Sequence, residues 1–115
     1  MMVVPSKKRQ PTLLVVDDNE VVMVHNFEYL GCRTILAESG EKALGILESE
    51  PSVDLVITDL KMTGMDGLEL LLRIKHSEVL SDLPVIVCTG SDEAETVKKA
   101  VELGCTQYLV KPVHP

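Results

Sequence analysis

Short runs of apolar and β-branched residues alternate with segments of helical spacing, and this alternation limits the fold more than any other feature of the chain. The runs cover 12–16, 34–37, 53–58, 85–89 and 107–110. Apart from Asp54 and Gln107 they are apolar or β-branched throughout, as expected of strands buried on both faces. Between them, Ala43, Leu44 and Leu47 mark one helical face after Gly40. Leu68, Leu71 and Leu72 mark another after Gly67, and Ala94, Val97 and Val101 a third, closed by Gly104 in a C′ position. Asp66 with Glu69, and Asp92 with Glu95, have the spacing of capping boxes at two helix starts. The segment 20–30 reads as a less regular first helix of about three turns. Such a pattern implies an α/β fold with a parallel sheet covered on both faces.

The chain has 115 residues, enough for one core. The expected organisation is an N-terminal arm at 1–11, a domain at 12–112 and a truncated end at 113–115. Lys7, Lys8 and Arg9 are read as part of the solvated arm. Two prolines, Pro112 and Pro115, stand in the last five residues, so no closing helix is expected there. The net charge of −7 argues against binding nucleic acid or an anionic membrane and favours a cation or a basic partner. No apolar stretch approaches the ~20 residues of a membrane span. The first ten residues lack the order of a signal peptide, so the expected setting is the cytoplasm. Cys32, Cys88 and Cys105 share no metal-ligand spacing and are read as small hydrophobic residues in a reducing compartment.

Parallel strands bring their C-terminal ends to one edge of the sheet, where ligand sites form. At that edge the first run ends in Asp17-Asp18, the third in Asp59, the fourth in Thr89 and the fifth in Lys111. Three crowded carboxylates repel unless something neutralises them. A hard divalent cation such as Mg²⁺ takes oxygen ligands of this kind, together with phosphate oxygens. With an ammonium and a hydroxyl beside it, Asp59 is placed to act as a nucleophile that forms an acyl phosphate. The strand presents this carboxylate rigidly, while the following loop, with Gly64 and Gly67, leaves the approach open.

The stretches LLVVDDNE (13–20), DLVITDLKMTGMDG (54–67), LPVIVCTGSDE (83–93) and GCTQYLVKP (104–112) resemble the receiver domain of two-component response regulators. The resemblance covers residues 12–112 and implies a flavodoxin-like, doubly wound sheet of five parallel strands in the order 2-1-3-4-5. By position it implies Asp59 as phosphoacceptor, with Asp17, Asp18, Asp59 and the backbone carbonyl of Lys61 as Mg²⁺ ligands. It further implies Thr89 and Lys111 as contacts to the phosphoryl group, Thr89 and Tyr108 as switch residues, and a cis peptide between Lys111 and Pro112. Lys61 and Ser91 occupy places that modulate phosphoryl lifetime in that family. The implied donor is a sensor histidine kinase or a phosphotransfer protein.

The chain departs from the family pattern at three places. Thr63 replaces a common proline, the span from Asp18 to Gly31 is about three residues short, almost one helical turn, and the fifth helix is missing. The last two fall on the same sheet face, which is expected to be under-covered and open to a partner or to a second copy of the chain in a homodimer. Two other functions fit these residues less well. A Mg²⁺-dependent phosphatase with an aspartyl-phosphate intermediate usually has an acid two residues after its nucleophile, where this chain has Lys61. A docking module that is never phosphorylated would have no use for the full set of acids, Thr89 and Lys111.

Overall fold

Each apolar run forms a strand, and all the strands pair in parallel. In the computed structural model, the described residues are 10–17, 31–50, 52–62, 64–90 and 93–111. The strands are β1 (Thr12–Val16), β2 (Arg33–Ala37), β3 (Leu55–Thr58), β4 (Val85–Thr89) and β5 (Gln107–Val110). They make one sheet in the order β2-β1-β3-β4-β5. Three helices lie among the described residues: α1 (Gly40–Ser49), α2 (Gly67–Lys75) and α3 (Ala94–Glu102). Architecture and strand order are those expected of the flavodoxin-like fold. The expected short first helix (20–30), Thr63, Ser91 and the chain beyond Lys111 lie outside the described residues.

Alternation along the strands divides the core in two. Leu14, Val16, Val56, Val85 and Val87 face the helices and pack with Ala43, Leu47, Leu70, Leu71, Ile74 and Ala100. Leu13, Ile57 and Cys88 form a smaller cluster on the opposite face. The centre of that second face is buried. Around it Cys32, Leu55, Ile86 and Leu109 are partly buried and Leu36 is 42% exposed, and the segments expected to leave this face under-covered lie outside the described residues.

The helix ends show which local signals operate. Asp66 caps α2 and accepts from the Glu69 N–H at 2.9 Å, as its spacing predicts. Ser39 caps α1, accepting from the Lys42 N–H at 3.2 Å. The N-cap of α3 is Glu93, one residue later than the expected Asp92, which is not described. At the other end of α3, Gly104 (φ +99°) follows the C-cap Leu103. Its N–H donates to Val101 O, and that of Cys105 to Ala100 O. This is a Schellman closure, which needs the left-handed conformation that glycine adopts without strain.

Two helical faces differ from expectation. On α2 the buried residues are Leu70, Leu71 and Ile74, while Leu72 points outward. On α3 only Ala100 is fully buried, and Val101 is 58% exposed. This helix lies near the edge strand β5, where a narrow apolar contact is enough to seat it.

Candidate functional site

Strand register builds the site. Val16 pairs with Thr58, so the next residues, Asp17 and Asp59, emerge side by side. The Asp17 N–H donates to Ala37 O at 3.0 Å, and the Asp59 N–H to Val16 O at 2.9 Å. The ladder therefore holds both backbones just beyond the strand ends. On the other side, Thr89 pairs with Val110, and the Lys111 N–H donates to Thr89 O at 2.7 Å. By strand parity, Asp17, Asp59 and Lys111 share the side of Leu13, Ile57 and Leu109, and Thr89 belongs to the helix side.

The side chains meet. Lys111 Nζ lies 2.7 Å from Asp17 Oδ2 and 3.2 Å from Asp59 Oδ2. The Leu60 N–H donates to Asp59 Oδ1 at 2.6 Å. Asp17 and Thr89 are buried, whereas Asp59 and Lys111 keep limited access to solvent, with side chains 15% and 23% exposed. Burial pushes the Asp59 carboxyl up, but the Thr89 hydroxyl, the Lys111 ammonium and the Leu60 N–H outweigh it and hold the group below its ordinary value. A half-buried carboxylate is thus kept anionic and turned toward a cation.

Four of the residues singled out in the sequence, Asp17, Asp59, Thr89 and Lys111, come together. Asp18 and the Lys111-Pro112 peptide bond fall outside the described residues. Lys61 is exposed two residues after Asp59. Tyr108 is half-buried on β5, paired with Val87 and diagonal to Thr89 on the same sheet face. No group of three or more His, Cys, Asp or Glu forms a metal cluster among the described residues. The donor chemistry nevertheless suits a hard cation, because two carboxylates converge on a single positive charge.

Two further contributors act through contacts that no sequence signal showed. Leu60 is buried, and its N–H pins the Asp59 carboxylate. Gly67 donates its N–H to Leu60 O at 2.9 Å, and a Cβ on it would strike the Asp59 carbonyl oxygen. The start of α2 is therefore pressed against the backbone that carries the acceptor.

Comparison with known proteins bears directly on this site. The family profile described as "Response regulator receiver domain" matches residues 13–115. A two-component response regulator of rice (Oryza sativa subsp. indica), ORR11, is 36% identical over 108 residues, covering 91% of this chain and 74% of that protein. The crystal structure of a response regulator receiver protein from Pseudomonas putida superposes with a TM-score of 0.86 at 33% identity, covering 92% of this chain and 89% of that one. A response regulator solved in its Mn²⁺-bound form superposes with a TM-score of 0.79 at 28% identity, covering 90% and 83%. No helix among the described residues is long and apolar enough to cross a membrane.

Proposed function

The chain belongs to the response regulator receiver domain family of two-component signalling, and on that premise we propose that it is a phosphoacceptor switch centred on Asp59. The observation that carries this reading is the Asp59 carboxylate itself. It is held anionic at the open end of β3, beside the Lys111 ammonium and the Thr89 hydroxyl. A histidine kinase or a phosphotransfer protein is the proposed donor, and the cytoplasm the proposed setting.

An Asp59 oxygen attacks phosphorus, a P–O bond forms, and the P–N bond of the donor phosphohistidine breaks with its electron pair returning to the imidazole. Lys111, already in contact with Asp59, offers its ammonium to the incoming phosphoryl oxygens. Thr89 exchanges its bond to the carboxylate for one to a phosphoryl oxygen. Its movement toward the acceptor opens room on the sheet face it shares with Tyr108, and the surface around α3 and β5 changes population. Asp17, Asp18, Asp59 and the Lys61 carbonyl would hold Mg²⁺, which when bound neutralises charge on the transferring group. The Mn²⁺-bound relative and the pairing of Asp17 with Asp59 around one cation support this ligand set. Hydrolysis of the acyl phosphate by water resets the switch, so the domain is a substrate that assists its own phosphorylation and dephosphorylation.

The test is intact-mass spectrometry of the protein with Mg²⁺ and acetyl phosphate. The mass rises by one phosphoryl unit, and Asp59→Asn abolishes the rise. Equal uptake by the Asn variant, or none by the native chain, would overturn the assignment.

A further inference from the structure

Across 24 residues of chain, the Glu41 carboxylate in the first turn of α1 accepts from the Met65 N–H at 3.1 Å. Two glycines make this contact possible. A Cβ on Gly40 would lie 2.9 Å from Met65 Cγ and Sδ, so the bare helix start lets that thioether settle against it. Gly64 has φ +81°, and a Cβ there would lie 2.8 Å from Glu41 Oε2. The beginning of α1 thus holds residues 64–65, the far end of the loop that leaves β3 at Asp59. The near end is anchored separately, by the buried Leu60 and by the Gly67 N–H to its carbonyl. Lys61 stands between the two anchors.

From these contacts we infer that Glu41 is a positioning residue for the acceptor loop, holding its far end so that the Lys61 carbonyl keeps its station beside Asp59. The inference rests on the function proposed above, in which that carbonyl is a Mg²⁺ ligand. Hydrogen bonds from its own N–H and from Met65 keep the Glu41 carboxyl below its ordinary value, so the acceptor is fully charged at neutral pH. A Glu in the first turn also stabilises its own helix. That effect alone would leave the loop and its ligands untouched, so the two roles separate experimentally.

The experiment measures Mg²⁺ affinity by calorimetry and Met65 amide hydrogen exchange in the native chain, Glu41→Ala, Glu41→Gln and Glu38→Ala. Glu38 pairs with Lys42 at the same helix end, at 2.8 Å, and serves as the control. Glu41→Ala weakens Mg²⁺ binding about threefold to tenfold, at or below the lower end of effects from groups that orient ligands. It also speeds exchange at Met65. Glu41→Gln keeps a carbonyl acceptor and restores most of both, and Glu38→Ala changes neither. Native Mg²⁺ affinity in Glu41→Ala, or a Gln variant as impaired as the Ala one, would overturn the inference alone. A native chain that binds no Mg²⁺, or an Asp59→Asn variant that binds it equally well, would overturn the site assignment and this inference together.

Discussion

The Lys111 ammonium lies 2.7 Å from Asp17 Oδ2, joining groups 94 residues apart in the chain. Strands β1 and β5 are not neighbours, since β3 and β4 stand between them. The pair therefore spans the C-terminal edge of the sheet, and its other contact, to Asp59 Oδ2, lies between. One cation balances two carboxylates, and removing it leaves two anions facing each other with little water.

Lys111→Met keeps most of the stem and removes the charge. The expected loss is about 1–3 kcal/mol, less than for breaking a fully buried pair because solvent reaches Lys111. The Asp59 carboxyl should also titrate at higher pH than in the native chain. Urea unfolding and carboxyl-carbon NMR measure the two effects. An unchanged Asp59 titration would mean that Lys111 is not its dominant ionic partner.

Binding of Mg²⁺ should stabilise the folded chain, because the ligands are assembled only in the native state. At a hundred times the dissociation constant the gain is about 2.7 kcal/mol, and excess chelator should abolish it. Asp17→Asn and Asp59→Asn should each shrink the Mg²⁺-induced rise in Tm. Identical melting curves in Mg²⁺ and in chelator would remove the cation from the proposed function.

Much of the fold was legible because the central strands β1, β3 and β4 are largely buried on both faces, and because the edge strands, though partly exposed, still read as short apolar or β-branched runs. The bounds of β1, β4 and β5 follow directly from such runs. The run at 53–58 overstates β3, which begins at Leu55. Asp54 ahead of it turns its carboxylate to the Thr12 N–H at 2.8 Å, a long-range contact with no local signature. Asp17, Asp59, Thr89 and Lys111 could be brought to one edge by counting strand ends. That Lys111 would bridge both acids, and that Glu41 would reach Met65, depends on side-chain geometry between distant segments. The buried faces of α2 and α3 differ from the spacing because each helix carries more apolar residues than the sheet buries. Spacing alone does not say whether Leu72 or Leu70 turns inward.

The Asp59 carboxyl gives the metal-free protein a defined acid dependence. Its folded-state value lies below its unfolded one, so the unfolded chain takes up the proton first as pH falls. The resulting stability is fully present above the unfolded carboxylate value of about 3.9 and is lost as pH falls through the folded value. Asp59→Asn should therefore flatten the acid limb of a stability–pH curve recorded in chelator. Superimposable acid limbs for the two proteins would contradict this account.

Two glycines in helices should respond oppositely to the same substitution. A Cβ on Gly67 would strike the Asp59 carbonyl oxygen and crowd the Leu60 Cα, both backbone atoms that cannot swing aside. Gly67→Ala should cost about 1–3 kcal/mol as overpacking, even after the better helix propensity of alanine is counted. It should also slow phosphoryl uptake, since the displaced backbone carries the acceptor. Gly45, in the interior of α1, is exposed and would meet nothing within 4 Å. Gly45→Ala should gain roughly 0.5–1 kcal/mol and leave uptake unchanged. Urea midpoints at constant m-value measure the stabilities, and intact-mass time courses with acetyl phosphate measure uptake. If Gly67→Ala proved as benign as Gly45→Ala, the start of α2 could not be pressed against the acceptor backbone as the structure has it.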